Sequence, residues 1–158
     1  MKVLHVYRTY FPDTQGGVQE VVRQISLGTS ALGVSNRIFT PSTEPRPAVL
    51  NHPEGDVHRV KLNFEIASCG FCITGVTEFR RCVDWADIVH YHFPWPFADA
   101  LHFLASVRKP TLVTYHSDVI RQKKLLTLYS PLMRRFLKSA SRIVCTSPNY
   151  LASSKVLE

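Results

Sequence analysis

Residues 1–40, MKVLHVYRTYFPDTQGGVQEVVRQISLGTSALGVSNRIFT, read as strand, helix and strand in that order. Val3 to Tyr7 is a short apolar run at the N-terminus, the pattern of a central parallel strand. Arg8 to Gly17 follows as a loop carrying Pro12, Asp13, Gly16 and Gly17. Val18, Val21, Val22, Ile25 and Leu32 then recur at helical spacing, and Gly33 is a natural stop. Asn36 to Thr40 reads as the second strand. A strand, a covering helix and a returning strand form the unit from which parallel sheets are built.

The alternation continues outward from this unit. Pro41 to Pro53 holds four prolines and reads as a loop, and Val57 to Leu62 as a third strand. Asn63 to Gly75 reads as a loop, followed by a short helix over Thr77 to Trp85. Ile88 to Phe93 is a fourth strand, Phe97 to Val107 a helix after Pro94 and Pro96, and Thr111 to Tyr115 a fifth strand. A helix from Leu125 to Ser139, with a break expected near Pro131, leads to a sixth strand at Arg142 to Thr146. Ser147-Pro148 then opens a last helix. Six short apolar strands with intervening helices imply one α/β domain, a Rossmann-like doubly wound parallel sheet covered on both faces. Such sheets bind ligands outside the carboxyl ends of their strands.

The 158 residues, 45% apolar and 20% charged, suit one globular domain and exclude a disordered chain. The net charge of +7 points to an anionic partner, or simply to a soluble basic surface. No recognised nucleic-acid motif accompanies that charge, so no nucleic-acid partner is expected. The N-terminal apolar run is too short for a signal peptide, and no run approaches the roughly 18 apolar residues needed to span a membrane. Both features fit a cytoplasmic protein. Cys69 and Cys72 form a CxxC, but Cys82 and Cys145 do not complete a zinc spacing, so the four cysteines read as buried or loop thiols.

The segments after the strands carry the chemistry. Gly16-Gly17 opens the first helix, where glycines permit close approach of a ligand and free N–H groups attract anions; a flexible helix start is the alternative. It is not GxGxxG, which argues against a dehydrogenase. His90 and His92 lie two apart on the fourth strand and so face one side. His90, the deeper, reads as a hydrogen-bonded core histidine. His116 ends the fifth strand, followed by Ser117 and Asp118, and His92 and His116 meet at the ligand edge if the two strands are neighbours. A metal hydrolase using His90, His92 and His116 competes, but there is no HExxH and no metal is expected. Phe93, Trp95 and Phe97 either stack on a sugar or lipid or pack on the next helix. Arg134, Arg135 and Lys138 interleave with apolar residues. That helix either lies on an anionic membrane surface or packs its apolar face on the sheet.

Four stretches together resemble the N-terminal domain of a family 4 (group 1) retaining glycosyltransferase of GT-B fold. They are MKVLHVYRTYFPDTQGGVQEVVRQIS (1–26), ADIVHYHFPWPFADAL (86–101), KPTLVTYHSD (109–118) and SASRIVCTSPNYLASS (139–154). The resemblance implies transfer of a sugar, with retention, from a nucleotide-diphosphate sugar to an acceptor hydroxyl in polysaccharide or cell-envelope glycan synthesis, with no cofactor. It implies that Gly16 and Gly17 approach the donor phosphate and the acceptor, with Asp13 as an acceptor contact. It places His116 beside the transferring sugar as the catalytic candidate, and His92, His90, Ser117 and Asp118 along the cleft. Arg134, Arg135 and Lys138 resemble residues that dock related enzymes on acidic lipid at the inner face of the membrane. Residues 1–147 then form the acceptor-side domain, and 148–158 begin the connection to a missing donor-binding domain in cis. That domain would carry the paired glutamates, spaced by seven residues, that this chain lacks near its end. The fragment alone is expected to be inactive. A non-catalytic module binding anionic glycan or lipid is the alternative.

Overall fold

The computed structural model describes residues 1–117 and 123–147, with the backbone alone described over 123–126. Strand β1 (Lys2–Val6) leads through a ten-residue loop to helix α1 (Gly17–Ser30), and β2 (Ser35–Ser42) returns beside it. Gly33, at φ +79°, supplies the left-handed turn that stops α1. Next come β3 (Val49–His52), β4 (Gly55–Lys61), β5 (Phe64–Ile66) and β6 (Cys69–Phe71). A 3-10 turn precedes α2 (Val76–Trp85). The chain continues through β7 (Ile88–Phe93), α3 (Pro96–Leu104), β8 (Thr111–Tyr115), α4 (Lys123–Ser139) and β9 (Arg142–Cys145).

The main sheet has seven strands in the order β3-β4-β2-β1-β7-β8-β9. All are parallel except β3, which runs antiparallel to β4 at the edge. Two stretches read as loops are therefore strands. The proline-rich 41–53 segment contains the end of β2 and all of β3, because an edge strand tolerates neighbouring prolines that a central one would not. Gly55, at φ +139°, makes the β3–β4 turn against the backbone of Asn36, where an added Cβ would lie 2.3 Å from the Asn36 carbonyl oxygen. The 63–75 segment folds into the small β5–β6 hairpin. Helix α4 runs through Pro131 without a break, and α3 begins and ends earlier than its apolar pattern suggested, with Pro96 in its first turn.

Strand alternation divides the side chains between two faces. Leu4, Val6, Val89, Tyr91, Phe93, Val113 and Tyr115 pack with residues of α2, α3 and α4, among them Phe79, Leu101 and Phe136. The opposite face carries Ile38 and Val57 against Val22 of α1 and Tyr10 of the first loop. His5, His90, His92 and Thr114 alternate with the first set and so belong to the α1 face. The last predicted helix, from Pro148, lies outside the described residues.

Candidate functional site at the carboxyl edge of the sheet

The first loop is tied down from within. Gln19 of α1 donates from Nε2 to the hydroxyl oxygens of Thr9 (2.9 Å) and Thr14 (3.1 Å). Asp13 accepts from Arg59 Nη2 at 2.7 Å. Arg59 is buried on β4 and also donates to Ser42 Oγ (3.0 Å) and to the Glu44 carbonyl (2.6 Å). One oxygen of Asp13 is thus committed to fixing the loop. Gly16 is extended, and no side chain caps α1, so the first N–H groups of the helix lack the usual Ser, Thr, Asp or Asn oxygen. Among the described residues a Cβ at Gly17 would meet nothing within 4 Å.

Two strands away, the histidines converge. His90 pairs with Leu112 and His92 with Thr114 across β7–β8, and His5 pairs with His90 across β1–β7. His92 Nδ1 lies 3.2 Å from His116 Nε2, and His92 Nε2 lies 3.2 Å from His5 Nδ1. His5 Nε2 lies 3.3 Å from Asn36 Oδ1. His90 Nε2 lies 2.7 Å from Thr114 Oγ1, the core-histidine reading made for it. His5, His90 and His92 are buried, and His116 is half-buried. Burial, which penalises the imidazolium, pushes His5 down to about 4. Burial, reinforced by the neighbouring histidines, pushes His90 down to about 2 and His92 well below its ordinary value. Burial also lowers His116. The cluster is therefore neutral at pH 7. Ser117 is half-buried directly after His116, and Asp118 lies outside the described residues.

The β1 and β8 carboxyl ends are separated only by β7, roughly 10 Å at the usual strand spacing. Gly16-Gly17 and His116 each follow one of these ends. A cavity of about 510 Å³ lies elsewhere, along the flank of α1, lined by Phe11, Gly16, Glu20, Arg23 and Glu54 among others. Of the predicted site residues among those described, only Gly16 touches it. Glu54, buried, accepts from Tyr10 Oη at 3.1 Å, and its second oxygen has no partner among the described residues.

Among the described residues two groups bring metal-ligating atoms within 4.8 Å of one another: His5, His90 and His92, and His58, Glu78 and Cys82. The compact imidazole group thus holds His5 in the place that the sequence reading gave to His116. In the second group His58 Nδ1 donates to Glu78 Oε1 at 2.9 Å. In the first, His5 Nδ1 and His92 Nε2 lie at hydrogen-bond distance from each other, 3.2 Å.

The remaining sequence candidates resolve into packing. Phe93, Trp95 and Phe97 are buried, and Trp95 Nε1 donates to the Gly70 carbonyl at 2.9 Å. Met133, Phe136 and Leu137 bury the apolar face of α4 against the sheet, leaving Arg134, Arg135 and Lys138 exposed on its outer face. Arg135 sits over the Phe103 ring at 4.9 Å. Cys69, Cys72 and Cys82 are buried free thiols. No helix among the described residues is long and apolar enough to cross a membrane. Sequence reasoning missed His5 and Asn36. The signal available for His5 was its position between Leu4 and Val6, which the period of two turns to the opposite face.

Residues 15–153 match the model of Glycosyltransferase Family 4. Over 157 residues the chain is 48% identical to the D-rhamnosyltransferase WbpZ of Pseudomonas aeruginosa, covering 99% of this chain and 41% of that one. Over 158 residues it is 45% identical to the O-antigen chain mannosyltransferase C of Escherichia coli, covering 100% of this chain and 43% of that one. The chain thus spans about two fifths of the length of these curated relatives. The structure also resembles a sucrose-phosphate synthase from Thermosynechococcus elongatus, with a TM-score of 0.62 at 15% identity, covering 97% of this chain and 82% of that one. That likeness concerns the fold.

Proposed function

The chain belongs to glycosyltransferase family 4, and from that premise we propose that it is the acceptor-side domain of an enzyme of cell-envelope glycan synthesis. The enzyme moves a sugar from a nucleotide-diphosphate donor to a glycan or lipid-linked glycan hydroxyl, with retention. The bond from the anomeric carbon to the diphosphate oxygen breaks, and a bond from that carbon to the acceptor oxygen forms on the same face. The acceptor proton leaves with the departing diphosphate. The energetic task is to hold the acceptor in line and to offset the charge that grows on the diphosphate.

The observation that supports the reading is that two elements follow the carboxyl ends of β1 and β8, strands separated only by β7. One is the uncapped start of α1 at Gly16-Gly17; the other is the His92–His116 pair. The α1 N-terminus suits a phosphate, and a neutral imidazole suits a sugar hydroxyl. Ser117 continues the cleft from His116 and Asp118 follows it in the sequence, while Asp13 holds the loop that presents the glycines. The two curated relatives are named for D-rhamnose and mannose transfer. D-rhamnose is 6-deoxy-D-mannose, so the donor proposed here carries a sugar of the manno configuration. The donor-binding half lies outside residues 1–158 and supplies the cationic clamp, so these residues alone are inactive. Arg134, Arg135 and Lys138 on the outer face of α4 dock the enzyme on acidic lipid. No metal cofactor is needed.

The test supplies the intact protein with a panel of nucleotide sugars and a lipid-linked glycan acceptor and follows label into product. Transfer of a manno-configured sugar supports the reading. Binding of acceptor glycan or acidic vesicles without transfer of any sugar would replace it with a binding module.

A further inference from the structure

Four side chains from three strands and one strand end form an unbroken hydrogen-bond line: Asn36 on β2, His5 on β1, His92 on β7 and His116 after β8. The successive separations are 3.3, 3.2 and 3.2 Å. Asn36, His5 and His92 are all buried. Such a line has a direction, because each neutral imidazole donates from one nitrogen and accepts at the other.

The direction is set at the Asn36 end. Asn36 Nδ2 lies 3.0 Å from the Ser26 carbonyl oxygen and 3.0 Å from Ser30 Oγ, both on α1. A carbonyl can only accept, so the amide nitrogen must face Ser26 and the amide oxygen must face His5. A reversed amide would set two oxygens against each other in a buried site and leave the Ser26 contact unmade. His5 Nε2 must therefore carry the proton that Asn36 Oδ1 accepts. Neutral His5 then has a lone pair on Nδ1, so His92 must donate to it from Nε2. His92 in turn has its lone pair on Nδ1, and His116 must donate to it from Nε2. His116 is left with its lone pair on Nδ1.

We infer that Asn36, His5 and His92 are positioning residues that lock His116 in the Nε2–H tautomer and present its Nδ1 to the cleft as a hydrogen-bond acceptor. The ligand group that matches is a donor, a sugar hydroxyl. A phosphate oxygen, which offers no proton at neutral pH, does not match. This rests on the proposed transfer function for the identity of the ligand, but the tautomer itself does not depend on it. His90 stands outside the line, bonded to Thr114 instead.

The experiment reads the protons directly. The intact protein, labelled with ¹⁵N in its histidines, is examined by long-range ¹H–¹⁵N correlation at pH 7.5, and its zinc content is measured in parallel. His5, His92 and His116 are expected as Nε2–H tautomers, with His116 Nδ1 in the lone-pair range of shifts. His5→Phe removes the acceptor of the His92 Nε2 proton, which fixes the order of the line as far as His116, and is expected to give a mixture of His116 tautomers. His90→Phe is expected to leave His116 unchanged. An Nδ1–H or charged His116 in the wild type overturns the inference, as does stoichiometric zinc on His5 and His92. The wild-type spectrum decides even if a variant fails to fold. Either result leaves glycosyl transfer standing, because no turnover is measured. Conversely, an Nε2–H His116 in a protein that transfers no sugar would defeat the function and keep the relay.

Discussion

Replacing Gly17 with alanine separates the stability of the first loop from its chemistry. Gly17 is the first residue of α1. Its backbone lies outside the left-handed region, and a Cβ there meets nothing within 4 Å among the described residues. No steric cost opposes the substitution, while the unfolded chain loses freedom, which stabilises by about 0.4–1 kcal/mol. For a protein of this size that raises Tm by about 1–4 °C. Open space around Gly17 is also the space a donor phosphate would occupy on reaching the N–H groups of the helix. The same methyl should then block the ligand and lower kcat/KM at least tenfold, which is about 1.4 kcal/mol of lost transition-state binding. Scanning calorimetry and transfer assays on the intact protein read the two effects separately. Raised Tm with unchanged transfer would refute the role given to the glycine turn. Lowered Tm would refute the packing around it.

Four further outcomes follow from the same structure. Histidines buried as neutral rings bind fewer protons than the unfolded chain does between their folded values and about 6.5, so stability rises with pH across that window. Acidifying from pH 7 towards 5 should lower the urea midpoint steeply through His5, His90, His92, His102 and His116, all shifted down by burial; a flat profile would contradict their burial. Tyr10→Phe strands the buried Glu54 carboxylate without its hydroxyl donor and should cost about 1–3 kcal/mol in urea unfolding, whereas an unchanged midpoint would show that water serves Glu54 as well. Burial pushes Cys72 and Cys82 up to about 12 and raises Cys69, so Cys145 should be the one thiol modified by an alkylating reagent in the native protein, and rapid labelling of Cys69 or Cys72 would revive a redox reading. Sugar transfer should survive excess EDTA, and its loss would require a metal in the mechanism.

The first βαβ unit was legible because its local pattern and its tertiary fate agree. Apolar runs became central strands, and Gly33 ended the helix where its left-handed turn was needed. The two-residue spacing of His90 and His92 placed them on one face, and the pairing of β7 with β8 brought His92 to His116 as that spacing required. His5 was hidden because a single histidine between Leu4 and Val6 acquires meaning only once β1 pairs with β7. Asp13 was legible as a loop carboxylate, but its partner Arg59 lies 46 residues away and no local pattern connects them. Strand β3 was lost among prolines because its pairing is with β4 rather than with any feature of its own segment.

The most direct measurement is a crystal structure of the intact protein with a bound nucleotide-diphosphate sugar. The diphosphate should lie within about 3 Å of the Gly16 or Gly17 N–H groups, with a sugar hydroxyl at the same hydrogen-bond distance from His116 Nδ1. A donor held in the cavity beside Arg23 and Glu54, or seated away from both the glycine turn and His116, would contradict the account.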